Sequence, residues 1–153
     1  MKIRHAKKED LAAVADLVVR TKRLNNEFDP LFAVVSDAKH KAEKYTQETM
    51  GGADRLLLVA IEGSKVVGFL RAEIRQRMFY EPHVGGFISD FYILPEFRRK
   101  ALGNEMLEQA SAELKKMGAQ IILADVPSQN EIANRFYAKR GFRALTSLFG
   151  KAP

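Results

Sequence analysis

The stretch Ser89–Asn104, SDFYILPEFRRKALGN, constrains the fold of this chain more than any other. An apolar strand ending at Leu94 runs through Pro95 into a short basic loop, which opens directly onto an amphipathic helix. On that helix Leu102, Met106, Leu107, Ala110, Leu114 and Met117 share one face, and Gly118 supplies a stop. A strand–loop–helix junction of this kind presents unpaired backbone N–H groups and the positive end of a helix dipole. Arg98, Arg99 and Lys100 add charge at the same place, so the junction reads as an anion site suited to a phosphate or pyrophosphate. A solvated basic turn before an ordinary surface helix is the plainer alternative.

The remaining pattern predicts a mixed α/β sheet in the order β-α-α-β-β-β-α-β-α-β. Residues 2–5 form a short strand, and a helix carrying Leu11, Val14, Ala15 and Val18 on one face follows. Asn25–Pro30 is polar and turn-rich, a second helix spans about 36–50, and Gly51-Gly52 breaks it. Leu56–Ile61 is a strand joined by the Glu62–Lys65 turn to a return strand from Val66 to about Tyr80. In that strand Arg71, Glu73, Arg75 and Arg77 alternate with Leu70, Ala72, Ile74 and Met78, which predicts one wet and one covered face. Residues 119–126 form a buried strand, and Ser128–Arg140 a helix with a Ser128/Glu131 capping box and Gly141 past its end. Arg143–Phe149 is expected as a last strand.

At 153 residues, without repeat, linker or low-complexity segment, residues 1–153 are expected to form one domain. The absence of cysteine excludes disulfides, thiolate metal sites and a cysteine nucleophile. No apolar run approaches the roughly 20 residues that span a bilayer. Met1–His5 carry no apolar signal segment behind them, so a cytoplasmic location is expected. The net charge of +6 favours anionic partners, but it is spread along the chain without a basic tail. His5, His40 and His83 give no metal spacing and no Ser-His-Asp set, and no Walker A lysine motif is present.

A second signal lies near the end, in Asn130-Glu131-Ile132-Ala133-Asn134-Arg135-Phe136-Tyr137-Ala138-Lys139-Arg140-Gly141-Phe142. Alone it is an amphipathic helix with a buried Phe136 and a half-buried Tyr137. With the strand–loop–helix, it resembles the GNAT superfamily of acetyl-CoA-dependent N-acetyltransferases, over nearly the whole chain. The start, Met1–Arg4 then Lys8–Leu11, resembles that family's first strand and helix. The basic loop resembles its acyl-CoA signature, with Arg98 at the first position and Gly103 at the last. Two residues depart from it: Ala101 stands where the family usually has Gly, and Arg99 where Gly is frequent. If residue 101 takes a left-handed backbone, Ala would cost about 1 kcal/mol there and weaken cofactor binding.

The resemblance implies a GNAT-like, mostly antiparallel sheet with splayed middle strands and flanking helices. It implies acetyl-CoA as co-substrate in the splay, no metal, and direct attack by an amine on the thioester within a ternary complex. Backbone amides over Arg99, Lys100, Ala101, Leu102, Gly103 and Asn104 would hold the pyrophosphate. Phe91, Tyr92 and Ile93 would pair with the pantetheine, and Arg98 and Asn130 complete the implied cofactor set. Tyr137 falls at the family's general-acid position. Asp90 is the expected base or amine-binding residue, with Ser89 where polyamine-acetylating relatives have Glu; Glu73 and His83 are reserves. The acceptor is expected near Glu27 and Asp29, which with Phe28 and Phe32 would suit a cationic amine; a plain Asp29-Pro30 turn is the alternative.

Partners implied are acetyl-CoA and a small or peptide amine, with no nucleic acid and no membrane; family members often form dimers. A non-catalytic acyl-CoA-binding sensor or interaction module is the competing reading, since the loop is altered and the Glu is missing. A basic nucleic-acid-binding domain ranks behind both, for want of a recognisable motif.

Overall fold

The computed structural model of the chain describes residues 1–98 and 101–153. Five strands form one sheet in chain order: β1 (Lys2–His5), β2 (Arg55–Glu62), β3 (Lys65–Gln76), β4 (Val84–Ile93) and β5 (Ile121–Ala124). The first four pair antiparallel and β5 joins β4 in parallel. Four α-helices flank it: α1 (Leu11–Phe28), α2 (Ala38–Gly51), α3 (Leu102–Lys116) and α4 (Glu131–Ala138). This is the expected α/β class with a mostly antiparallel open sheet.

Local chemistry accounts for the elements. The β2–β3 hairpin turns at Gly63, whose φ of +62° is a conformation glycine adopts without Cβ strain. Helix α1 buries Val14, Ala15, Leu17, Val18 and Val19 against the sheet, and α3 buries Leu102, Met106, Leu107, Ala110 and Leu114. Both helices thus remove a continuous apolar stripe from water, and this burial supplies most of their stability. The strands between them, such as Leu57–Ala60 and Val67–Leu70, are buried almost without interruption, as a sheet covered on both faces requires.

Two consequences of the β3–β4 ladder position the site. Arg71 pairs with Asp90 but Ala72 pairs with Ile88, so Ser89 is an extra residue in β4, a bulge. A Cβ on Gly86 would meet Leu114 of α3, whereas Asp90 reaches Lys22 of α1 and Tyr45 of α2. Residues four apart on an unbroken strand face the same way. The inserted Ser89 reverses that alternation and turns Asp90 from the α3 face to the α1/α2 face.

The structure departs from expectation in several places. Helix α1 runs through Asn25–Asn26–Glu27–Phe28 and stops only before Asp29-Pro30, so Glu27 is helical. Strand β3 ends at Gln76, leaving Met78 83% exposed, and Arg71 is buried. The α4 cap is Asn130, whose Oδ1 accepts from Ala133 N–H, while Ser128 offers only its backbone C=O to Asn134. Residues 143–149 form no strand. Ala144, Leu145, Leu148 and Phe149 fall in adjacent pairs instead of alternating, so no register buries them on one face, and Leu148 and Phe149 stay 95% and 91% exposed.

Candidate active site

The β4–β5 ladder covers only Gly85–Ile88 against Ile121–Ala124. Beyond it β4 continues through the Ser89 bulge to Ile93 while β5 stops, so the Ser89–Ile93 edge has no strand beside it; β5 is the edge of the described sheet, so the opening lies beside β4 at the sheet's rim and not between two middle strands as expected. A bulge bends and twists its strand, and here it sits where the opening begins. The cleft is therefore set by one inserted residue and by a short β5.

One end of the cleft is the start of α3. Ala101 is its N-cap, with φ +58° and ψ 10° and no side-chain cap. The first intrahelical bond runs from Glu105 N–H to Ala101 C=O, so the amides of Leu102, Gly103 and Asn104 precede the helical ladder and point outward. The left-handed backbone anticipated at residue 101 is present, and a Cβ there is strained. Gly103 has a different role from a flexible turn: a Cβ on it would come within 3.0 Å of the Phe136 ring. Its bareness lets α4 pack onto the head of α3. Arg99 and Lys100 lie outside the described residues.

The other implied cofactor residues divide. Tyr92 and Ile93 are buried, and Phe91 is half-buried with its ring edge-on to Phe136 at 5.7 Å. Arg98 folds back: its Nε donates to Ile93 C=O at 2.8 Å and its guanidinium lies 5.2 Å from the Tyr92 ring centre. Asn104 links α3 to the turn that follows α4, giving Nδ2–H to Glu108 and accepting from Arg140 Nε with Oδ1. Asn130 caps α4, as described. For Asn104 the backbone N–H, not the side chain, faces the anion position.

Tyr137 sits in an aromatic chain along α4, 5.3 Å from Phe136 and 5.1 Å from Phe142. Because Phe136 touches Phe91 of β4, this chain lies beside the open half of β4. Burial pushes the Tyr137 phenol well above its ordinary range, so it stays protonated through neutral pH.

On the opposite face a polar network crosses four elements. Asp90 is buried; its Oδ1 accepts from Lys22 Nζ at 2.7 Å and its Oδ2 from the Tyr45 hydroxyl. Ser89 Oγ lies 3.3 Å from the Tyr45 hydroxyl and accepts from Arg71 Nη1 at 2.9 Å. Arg71 also donates to Thr49 Oγ1 and Glu73, and its guanidinium stacks 4.1 Å from the Tyr45 ring centre. Burial pushes the Tyr45 phenol up, and the neighbouring Asp90 charge adds to it. Burial works to raise the Glu73 carboxyl too, but hydrogen bonds from Arg71 and Arg75 outweigh it and hold the carboxyl below its usual range. Glu73 is thereby committed to two arginines. His83, at the far end of β4, sits roughly 20 Å along the strand from Ser89 and pairs with Glu81.

Above this network, α1, α2 and the loop between them enclose a cavity of about 580 Å³, within the range of small-ligand pockets. Val18, Val19, Leu31 and Phe32 form apolar walls, and Lys22 and Tyr45 bring it to Asp90. Glu27 and Asp29 are not part of its lining. Asp29 caps the turn at Pro30–Phe32, accepting from Leu31 N–H at 2.8 Å. Lys22 and Tyr45 escaped the sequence analysis, which took Arg71 only as part of a wet face. The available signals were a lysine one turn after buried Val18 and a tyrosine in register with Ala38 and Ala42.

An open strand edge, a helix start at one end of it and a small-molecule cavity beside it make up the candidate active site. The profile of the acetyltransferase (GNAT) family matches residues 18–142, and the chain belongs to that family. It is 23% identical over 152 residues to the aminoalkylphosphonate N-acetyltransferase of Salmonella typhimurium, covering 95% of this chain and 96% of that one. It is 28% identical over 109 residues to the spermidine N(1)-acetyltransferase of Thermoplasma acidophilum, covering 66% and 63%. Among solved structures, a predicted acetyltransferase from Clostridium acetobutylicum with acetyl-CoA superposes with a TM-score of 0.80, at 16% identity over 99% of this chain and 95% of that one.

Proposed function

We propose that the protein transfers an acetyl group from acetyl-CoA to a primary amine by direct attack within a ternary complex. The observation that carries this reading is the unpaired Ser89–Ile93 edge lying between the α3 amides and the α1/α2 pocket. The family membership and the acetyl-CoA complex of the Clostridium neighbour support the choice of donor.

In this reading the pyrophosphate rests on the amides of Leu102, Gly103 and Asn104, where the helix dipole stabilises negative charge. The pantetheine lies along Phe91–Ile93 as an added strand. Arg98 holds the Ile93 carbonyl and so fixes the end of that edge. The amine arrives from the α1/α2 pocket. The proton the amine sheds passes to the Asp90 carboxylate by way of the Tyr45 hydroxyl. Attack on the thioester carbonyl gives a tetrahedral oxyanion that a backbone N–H near Ile93 stabilises. Collapse expels the CoA thiolate, which takes its proton from Tyr137. Holding both reactants in one cleft supplies most of the acceleration.

Release of free thiol from acetyl-CoA, followed with a panel of amines, tests the reading. Acceptor-dependent release supports the transferase. Binding of acetyl-CoA with no release from any amine would favour a sensor module instead.

The strained N-cap gives a separate prediction. Ala101→Gly should bind CoA severalfold more tightly, because the cofactor loop loses a methyl, while relief of the left-handed Ala, about 1 kcal/mol, acts on folding. The added freedom of Gly in the unfolded chain offsets a similar amount, so the melting temperature should move by less than about 3 °C. Titration calorimetry and thermal melts separate the two effects.

A further inference from the structure

We propose that the acceptor is a compact amine bearing an anionic group on an apolar body, and that Lys41 binds the anionic group; this rests on the acetyltransferase reading above. The argument comes from the composition of the pocket. Its walls are apolar, and Leu31, Phe32 and Val35 on its rim are 64%, 42% and 52% exposed, apolar surface that a ligand would cover. The charged residues in its lining are two lysines, Lys22 and Lys41, with no carboxylate among the described lining residues.

The two lysines differ in how their charge is used. Lys22 is 2.7 Å from buried Asp90, so its charge is matched locally. The ion pair of Lys41 is a 3.6 Å contact with Asp37, one turn away on the helix, with both side chains more than half exposed. Pairs of that kind contribute little and are easily exchanged. Lys41 therefore brings a positive charge to the pocket that a ligand can claim.

The spacing sets the size of the ligand. Ala38, Lys41, Ala42 and Tyr45 follow one face of α2, and Lys41 stands one turn, about 6 Å, from Tyr45. Tyr45 marks the end of the pocket where the amine meets Asp90 and the open edge of β4. An amine at Tyr45 and an anion at Lys41 are then a few bonds apart, with an apolar body against Val18, Val19 and Phe32. A polyamine in the same pose would set its second ammonium beside Lys41, where like charges repel.

Matched acceptor pairs test this: phenethylamine against phenylalanine, ethylamine against 2-aminoethylphosphonate, with spermidine as the polycation. Wild-type protein should show kcat/KM at least tenfold higher for the anionic member of one pair or both. The pair that responds tells a carboxylate from a phosphonate ligand. Lys41→Glu should lower that anionic-to-neutral ratio at least tenfold, and Lys41→Gln by less. Spermidine outpacing both anionic amines, or a ratio that Lys41→Glu leaves in place, would overturn the proposal while the transferase reading stands. If no amine releases thiol and acetyl-CoA fails to raise the melting temperature, both fall together.

Discussion

Replacing Tyr137 with Phe should lower kcat about a hundredfold, within the range set by loss of a general acid, while CoA binds as before. The substitution removes one hydroxyl and keeps the ring that packs between Phe136 and Phe142. The folded structure should therefore persist, and circular dichroism with CoA titration checks that it does. Burial holds the phenol protonated above its ordinary pKa of about 10. The acid is consequently present across the neutral range, and the pH profile of kcat should show no alkaline loss attributable to Tyr137 below about pH 10. The same shift has a stability sign. A pKa raised by folding contributes stability that is complete below the unfolded value and is lost as pH climbs through the folded one. Tyr137→Phe should thus flatten the alkaline limb of the unfolding curve. An unchanged kcat in the Phe variant would remove Tyr137 from the chemistry and return the leaving thiolate to solvent protonation.

Asp90→Ala should be the most damaging single substitution in the acceptor half. Its carboxylate joins α1, through Lys22, and α2, through Tyr45, to the bulge in β4. Truncation leaves two donors without their acceptor and leaves the charges of Lys22 and Arg71 less well matched. Breaking a buried pair from one side costs about 3–5 kcal/mol; Lys22 is 45% exposed and regains some hydration, which lowers the expected cost to about 2–4 kcal/mol. For a chain of this size the melting temperature falls by roughly 5–15 °C. Asp90→Asn keeps the shape and one acceptor oxygen, so it should melt closer to the parent yet lose turnover. A profile in which the Asp90→Asn variant matches the parent in kcat would show that the carboxylate only braces the helices. The phenol of Tyr45 gives an independent readout, since loss of the Asp90 charge removes one of the influences holding its pKa up.

Much of the scaffold was legible because it follows local rules. The α3 stripe, the Glu62–Lys65 hairpin and the glycines at 118 and 141 are periodicity and backbone conformation, and both are written in short windows of sequence. The left-handed backbone at Ala101 was raised only as a condition, from the glycine usual at that position in the family it resembles, and the structure meets it. Arg71 was misread for a physical reason. Alternating charges in β3 look like a wet face, and nothing local shows that Thr49, Glu73, Ser89 and the Tyr45 ring converge to satisfy a buried guanidinium. Of the residues expected around the acceptor, Phe32 lines the α1/α2 cavity while Glu27 and Asp29 do not, for a similar reason. Asn25–Pro30 has turn chemistry, but packing of α1 carries the helix through to Phe28 and leaves Glu27 outside the pocket. The cavity itself is a product of two helices and a loop meeting, which no single segment encodes. The tail beyond Phe142 lacks the alternation a strand needs, and a stricter count of its apolar positions would have denied it that assignment.

The bulge at Ser89 has a consequence for how such a protein can diversify. In the proposed reading the stretch just beyond it does both jobs, with the edge of Phe91–Ile93 for the donor and the Asp90 side chain, turned to the α1/α2 face, for the acceptor. The cavity walls come from residues 18–45, whereas the open edge and the helix start come from residues 89–104. Substitutions in the first segment can change which amine is accepted and leave the donor half untouched. An insertion or deletion in β4 has no such freedom: a single step in register would rotate Asp90 onto the α3 face and sever the two halves at once. The architecture is therefore permissive of substitution along the helical walls and intolerant of length change at one strand position.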